Sequence, residues 1–177
     1  MLDIILILAA IAVVTFLIVA AMQPPDFRVT RTGTISAPAS AVFDHVNDLQ
    51  KWDAWSPWAK LDPDAKNSFE GPTSGTGAIM RWVGNNKVGQ GSMTITESSP
   101  DEFIRFKLEF LKPFAATNTA EFTFNDENNQ TTVTWTMYGK NNFKSKVIGL
   151  IMNCEKMVGG QFEQGLAALK SVVEAGL

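Results

Sequence analysis

Ile104-Arg105-Phe106-Lys107-Leu108-Glu109-Phe110 sets an apolar side chain against a charged one at every step. A backbone that sends successive side chains to opposite faces converts that order into one apolar and one wet face. The stretch therefore predicts a half-buried β-strand. The same period recurs on both sides of it. Upstream, Ala78, Met80 and Trp82 share a face opposite Ile79, Arg81 and Val83, while Met93, Ile95 and Glu97 share one opposite Ser92, Thr94 and Thr96. Downstream, Ala120, Phe122 and Phe124 alternate with Glu121 and Thr123, and Val133, Trp135 and Met137 with Thr132, Thr134 and Thr136. Gly84-Asn85-Asn86-Lys87 and Asp126-Glu127-Asn128-Asn129 are turn-forming runs between neighbours. Sequential strands joined by short polar turns predict an antiparallel meander with one face on a core.

Beyond the meander the period changes. Phe143, Val147, Leu150, Ile151, Cys154, Val158, Phe162, Leu166, Leu169 and Val173 fall at steps of three and four, with Lys144, Lys146, Glu155, Lys156, Glu163 and Gln164 between them. This predicts one amphipathic helix of roughly 30 residues, about 45 Å long. Gly159-Gly160 inside it costs about 1 kcal/mol per glycine relative to alanine, which points to a bend or a close approach to the sheet. Before the meander, Phe27 to Ser36 reads as a strand. Pro38 then opens a helix with Ser36 as its candidate cap and Val42, Phe43, Val46 and Leu49 as its apolar stripe. A short helical stretch carries Trp52, Trp55 and Trp58, and a polar loop follows to about Gly77.

Ile4 to Met22 carries no charge and only Thr15 as a polar interruption. About 19 residues of helix reach about 28 Å, close to the hydrocarbon thickness of a bilayer, so the segment reads as a single membrane span. A cleaved signal peptide is the competing reading, with small residues at Ala20 and Ala21. It calls for a basic start, and the chain begins Met1-Leu2-Asp3. The expected organisation is an anchor with a short Pro-Pro linker over 1–26 and one soluble domain over 27–177. Arg28 and Arg31 flank the span on its C-terminal side only, which places that domain on the cytoplasmic side. The formal charge is −3, and no stretch has the dense Lys/Arg stripe that nucleic acid requires. One cysteine and one histidine exclude an internal disulfide and leave a metal site without ligands. No cofactor motif is present; the glycines at Gly71, Gly75 and Gly77 are not followed by the Lys-Ser/Thr of a phosphate loop.

Ile35-Ser36-Ala37-Pro38 with Val42-Phe43, the cluster Trp55-Ser56-Pro57-Trp58, and the closing Phe162-Glu163-Gln164-Gly165-Leu166 with Leu169-Lys170 and Glu174 resemble the START-like (SRPBCC) superfamily, in its polyketide cyclase/dehydrase branch. The resemblance runs from about residue 29 to 175. It implies an α+β helix-grip fold, a curved antiparallel sheet wrapped around a long C-terminal helix, enclosing a cavity for an apolar molecule.

On that frame Met80, Trp82, Met93, Phe106, Leu108, Phe122, Trp135 and Met137, faced by Met152 or Met157, are the inward set. They are open to two readings, a soft cavity wall or a filled core. Trp55 and Trp58 join them as a lid at the mouth or as packing between helices and sheet. Two ionisable residues are weak catalytic candidates. Glu97 follows the face of Met93 and Ile95, so strict alternation points it inward, where burial would suit an acid or base; the other reading is a wet, inert carboxylate at the strand end near Ser98, Ser99 and Pro100. His45 lies near Asp44 and Asp48, a general-base arrangement or an ordinary helix-surface pair. Cys154 lies on the apolar stripe as a small core residue with no base partner. The functions in play are a membrane-anchored binding domain for a lipid or other hydrophobic small molecule, a cyclase/dehydratase-type enzyme using the same cavity, and a stress-response or interaction domain with a filled core.

Overall fold

A computed structural model of the chain describes residues 1–151 and 153–176. Helix α1 (Leu2–Met22) is followed by β1 (Asp26–Ile35), α2 (Ala39–Asn47), a 3-10 turn at Leu49–Lys51, α3 (Trp52–Trp55) and α4 (Pro57–Leu61). Six strands come next: β2 (Lys66–Glu70), β3 (Ile79–Val83), β4 (Gln90–Ser99), β5 (Phe103–Lys112), β6 (Ala116–Glu127) and β7 (Gln130–Lys140). The chain ends in α5 (Phe143–Ile151) and α6 (Cys154–Ala175). The strands form one seven-stranded sheet in the order β1-β7-β6-β5-β4-β3-β2, every pair antiparallel. The meander β2 to β7 thus lies in sequence order, and β1 closes beside β7. This is the expected α+β helix-grip architecture, with α6 laid across the curved sheet.

Alternation decides which side chains face α6. Ile104 and Phe106 of β5, Phe122 and Phe124 of β6, and Val133 and Trp135 of β7 are buried on one face, against Leu166, Leu169 and Val173 of α6. The hairpin between β6 and β7 turns through Asn128 and Asn129, whose φ of 56° and 65° suit a two-residue turn with both central residues left-handed. The large apolar side chains of α1 are exposed along the helix, and Ala20 alone among its residues is buried. Among the described residues it is the one helix long and apolar enough to cross a membrane.

Several expectations require correction. The single long C-terminal helix is two, because Asn153 starts a new one: its side-chain oxygen accepts from the Lys156 backbone N–H at 2.9 Å. Helix α6 runs on through Gly159-Gly160, where the expected close approach to the sheet is found. Gly159 is a close approach, since a Cβ there would strike the Arg31 guanidinium, which crosses that spot to reach Glu155 and Glu163 at 2.9 and 2.5 Å. Ser36 does not cap α2. The orphan N–H of Ala39 is satisfied by Asp126 across 2.9 Å, and Ser36 donates its own N–H to Glu174 at 2.7 Å. The loop up to Gly77 contains strand β2, whose five residues are all exposed and so carry no burial alternation.

Candidate ligand cavity

Between the sheet and the helices lies a cavity of about 240 Å³. The sheet supplies Met80 and Trp82 from β3, Met93 from β4, Leu108 and Phe110 from β5, Ala120 from β6, and Trp135 and Met137 from β7. The helices supply Trp52 and Trp58 from one side and Val158 and Phe162 from α6. Ala59 of α4, Pro63 and Ala65 after it, and Val88 from the β3–β4 turn complete the apolar lining. Of the inward residues expected from the sequence, Trp58, Met80, Trp82, Met93, Leu108, Trp135 and Met137 therefore stand on this wall. Trp55, Phe106 and Phe122 do not. All three are fully buried behind it, where Trp52, Phe106 and Phe122 meet edge to face at 5.5 to 6.0 Å. Met157 is exposed, and Met152 lies outside the described residues, as does the Cys154 side chain.

Two glycines shape the wall by having no side chain. Gly91 pairs across the sheet with Trp82, and a Cβ on it would sit 2.6 Å from Trp82 Cζ2. The indole can therefore lie over the strand while lining the cavity. Gly165 of α6 likewise leaves room for the ring of Trp135, whose Cζ3 would be 2.8 Å from an added Cβ. Trp135 is stacked on Phe162 at 4.0 Å with the planes 7° apart, and on Phe122 at 4.7 Å. Its Nε1–H is buried without an acceptor among the described residues, a group that costs about 1–3 kcal/mol to leave unpaired.

The tryptophan series divides by role. Trp52 and Trp55 are anchored in the core by their indole N–H groups, which donate to the backbone oxygens of Val46 at 2.8 Å and His45 at 3.1 Å. Only Trp58 stays partly exposed, its ring edge-on to Trp135 and Phe162. Polar groups gather on the adjoining wall: Asp53, Ser56, Asp62 and Asn67. Asp62 is 8% exposed, and its Oδ2 accepts the Asn85 N–H at 2.6 Å. Sequence reasoning missed these residues because they lie on short helices and an exposed strand, where no periodicity marks one face. Phe162 was within reach through the motif it belongs to.

Neither weak catalytic candidate faces the cavity. A β-bulge between Ile95 and Glu97 slips the register by one residue, so Glu97 emerges on the wet face instead of following Met93 and Ile95 inward. There it pairs with Arg105, which also holds Glu121 at 2.8 Å. His45 donates its Nδ1–H to the Ala41 carbonyl oxygen at 2.8 Å within its own helix. The nearby carboxylates are otherwise engaged, Asp44 with Lys51 and Asp48 with the Gln50 N–H. Among the described residues no group of three His, Cys, Asp or Glu side chains is placed to hold a metal.

Comparison with known proteins agrees with this geometry. The family model described as "Polyketide cyclase / dehydrase and lipid transport" matches residues 26–174. No curated protein matches the chain. Solved structures with the same fold include protein CV1439 from Chromobacterium violaceum, 16% identical, with 86% of this chain and 99% of that one covered and a TM-score of 0.59. The Aha1 dimer from Colwellia psychrerythraea is 15% identical over 85% and 98%, with a TM-score of 0.61. Protein SA2116 from Staphylococcus aureus is 12% identical over 87% and 97%, with a TM-score of 0.65.

Proposed function

The chain belongs to the polyketide cyclase / dehydrase and lipid transport family, and from that premise we propose that it is a membrane-anchored binding protein for a small hydrophobic molecule. Residues 4–22 are the anchor, 27–177 the binding domain, and the domain lies on the cytoplasmic side. The observation that carries this reading is the cavity itself: a gap walled by methionine and aromatic side chains, next to a region of the same core that is packed solid. A cavity of about 150 Å³ lined by apolar residues binds benzene, and pockets for drug-sized molecules begin near 300 Å³. At about 240 Å³ this one suits one or two fused rings or a single short acyl chain, and is too small to enclose a two-chain lipid. An apolar ligand burying on the order of 300 Å² would gain about 7 kcal/mol before ordering costs. Ser56 and Asn67 offer hydrogen bonds to a hydroxyl or carbonyl group at one end.

Cyclase- or dehydratase-type chemistry in the same cavity is the second reading, and Asp62 favours it as a largely buried carboxylate on the wall. Asp62→Asn keeps an oxygen for the Asn85 N–H. It should leave binding intact and abolish turnover only if this reading holds. The cavity weighs against an interaction domain with a filled core. The deciding experiment is native mass spectrometry of the full chain purified from its own membrane. We expect one non-covalent apolar guest that is absent from an Ala120→Trp variant, whose side chain would occupy the space. A chain that is always empty, and that also takes up neither fatty acids nor small aromatics, would overturn the proposal.

A further inference from the structure

The strand ends define two opposite rims of the sheet. One rim holds the start of β1, the ends of β3, β5 and β7, and the starts of β2, β4 and β6, as the pairings Asp26–Lys140, Phe110–Ala116, Gln90–Lys112 and Lys66–Val83 require. α6 also begins there, since Arg31 meets its first turns while Ser36 meets Glu174 near its end. So does the exit of α1. Lys146 donates to the Ala21 carbonyl at 3.2 Å, and Asn141 reaches the Pro24 and Pro25 carbonyls at 3.3 and 2.7 Å.

This rim differs chemically from the other. Beyond α1, the large apolar side chains that stand exposed among the described residues are Phe69 and five others: Val83, Leu111, Phe114, Phe143 and Met157, each more than half exposed. All five lie on the α1 rim. Lys87, Lys112, Lys140, Lys144 and Lys146 stand among them, and of the acids there Asp26 is paired with Lys140, Glu155 with Arg31, and Asp62 is buried against the Asn85 N–H, with Asp64 beside the start of β2. The turns at the far rim carry Asp101, Glu102, Asp126 and Glu127 and no lysine. Exposed apolar groups interspersed with lysines match a bilayer interface rather than bulk water. The turn-borne lining of the cavity (Pro63, Ala65 and Val88) is also on the α1 rim.

We infer that this rim is a second, peripheral membrane contact: Leu111 and Phe114 at the β5–β6 turn, with Phe143 of α5, dip into an anionic leaflet and turn the cavity mouth toward it. The inference rests on the proposed anchoring by α1. β5 is three strands from β1, so the turn lies about 14 Å sideways from the anchor at the same height. One helix exit and one hairpin tip fix the domain's tilt, and an apolar guest passes between bilayer and cavity without crossing water.

The test uses the full chain in nanodiscs of phosphatidylcholine, with and without phosphatidylglycerol. An environment-sensitive fluorophore is placed at Leu111→Cys, Phe114→Cys or, as a far-rim control, Asn128→Cys, each in a Cys154→Ser background. The first two should emit to the blue and be quenched by spin-labelled lipid several-fold more than the control. Phosphatidylglycerol should strengthen the effect, and Lys112→Glu with Lys144→Glu should remove that gain. Labels at 111 and 114 as wet as the one at 128 in both lipids would overturn the inference. Native mass spectrometry of the same samples separates the two claims. A full cavity with a wet rim sinks only the docking surface, and an empty cavity with a buried rim sinks only the ligand.

Discussion

Tyr138 is the only tyrosine in the chain, which makes one network on the wet face of the sheet directly observable. Its hydroxyl donates to Glu121 Oε1 at 2.8 Å, and Arg105 bonds the same carboxylate. The phenol is held above its ordinary value, first by that hydrogen bond and then by burial, with Arg105 opposing. A raised folded value means the network adds stability below the unfolded value near 10 and loses it as pH rises through the folded one. The ultraviolet titration of the folded chain should therefore fall above that of free tyrosine, and Glu121→Gln should bring it back toward it. A wild-type curve at the ordinary value would remove the network from the account. Residue-level legibility was uneven for the same kind of reason. Met80, Met93 and Trp135 obey strict alternation and could be placed from the sequence. Glu97 could not, because one extra residue in β4 reverses every assignment beyond it.

At the scale of elements, α6 contains a contrast that helix propensity cannot see. Gly160 has open space where a Cβ would go, whereas Gly165 abuts the Trp135 ring and Pro57. Replacing glycine by alanine in a helix gains about 1 kcal/mol. Gly160→Ala should realise that and raise the melting temperature by about 2–4 °C for a chain of this size. Gly165→Ala should lose more than it gains, because Trp135 is clamped between Phe122 and Phe162 and overpacking costs about 1–3 kcal/mol. Thermal melts of the two variants should move in opposite directions; a shift of the same sign would show that the Trp135 stack yields. Half-buried elements were legible because burial imposes a period. β2 left no trace because it is wet on both faces, and the break before α6 was hidden because the apolar stripe continues across Asn153.

For the whole molecule, the proposed anchoring makes the order in which the chain meets the membrane matter more than its folded charge. Orientation is set while the segment inserts, by basic residues within about 15–20 positions of the span. At that stage Arg28 and Arg31 count, and Asp3 stands alone on the other side. The rim lysines are too distant in sequence to contribute, and on the inferred docking would act only after β7 and α5 have folded back to the exit of α1. The two sets nevertheless agree, since the cytoplasmic leaflet is the anionic one that a lysine-bearing rim would meet. A C-terminal fluorescent-protein fusion should accordingly fluoresce, and a C-terminal alkaline phosphatase fusion, which needs an oxidising compartment, should be inactive. Leu2→Lys with Asp3→Lys would place two cations before the span and cancel the bias, so the phosphatase fusion should gain activity. An active phosphatase on the unaltered chain would put the domain outside, and a fusion released at a size lacking residues 1–22 would make the segment a signal sequence. The side could be argued from Arg28 and Arg31 in the sequence, but the rim could not, because it depends on which residues the antiparallel pairing gathers at one end.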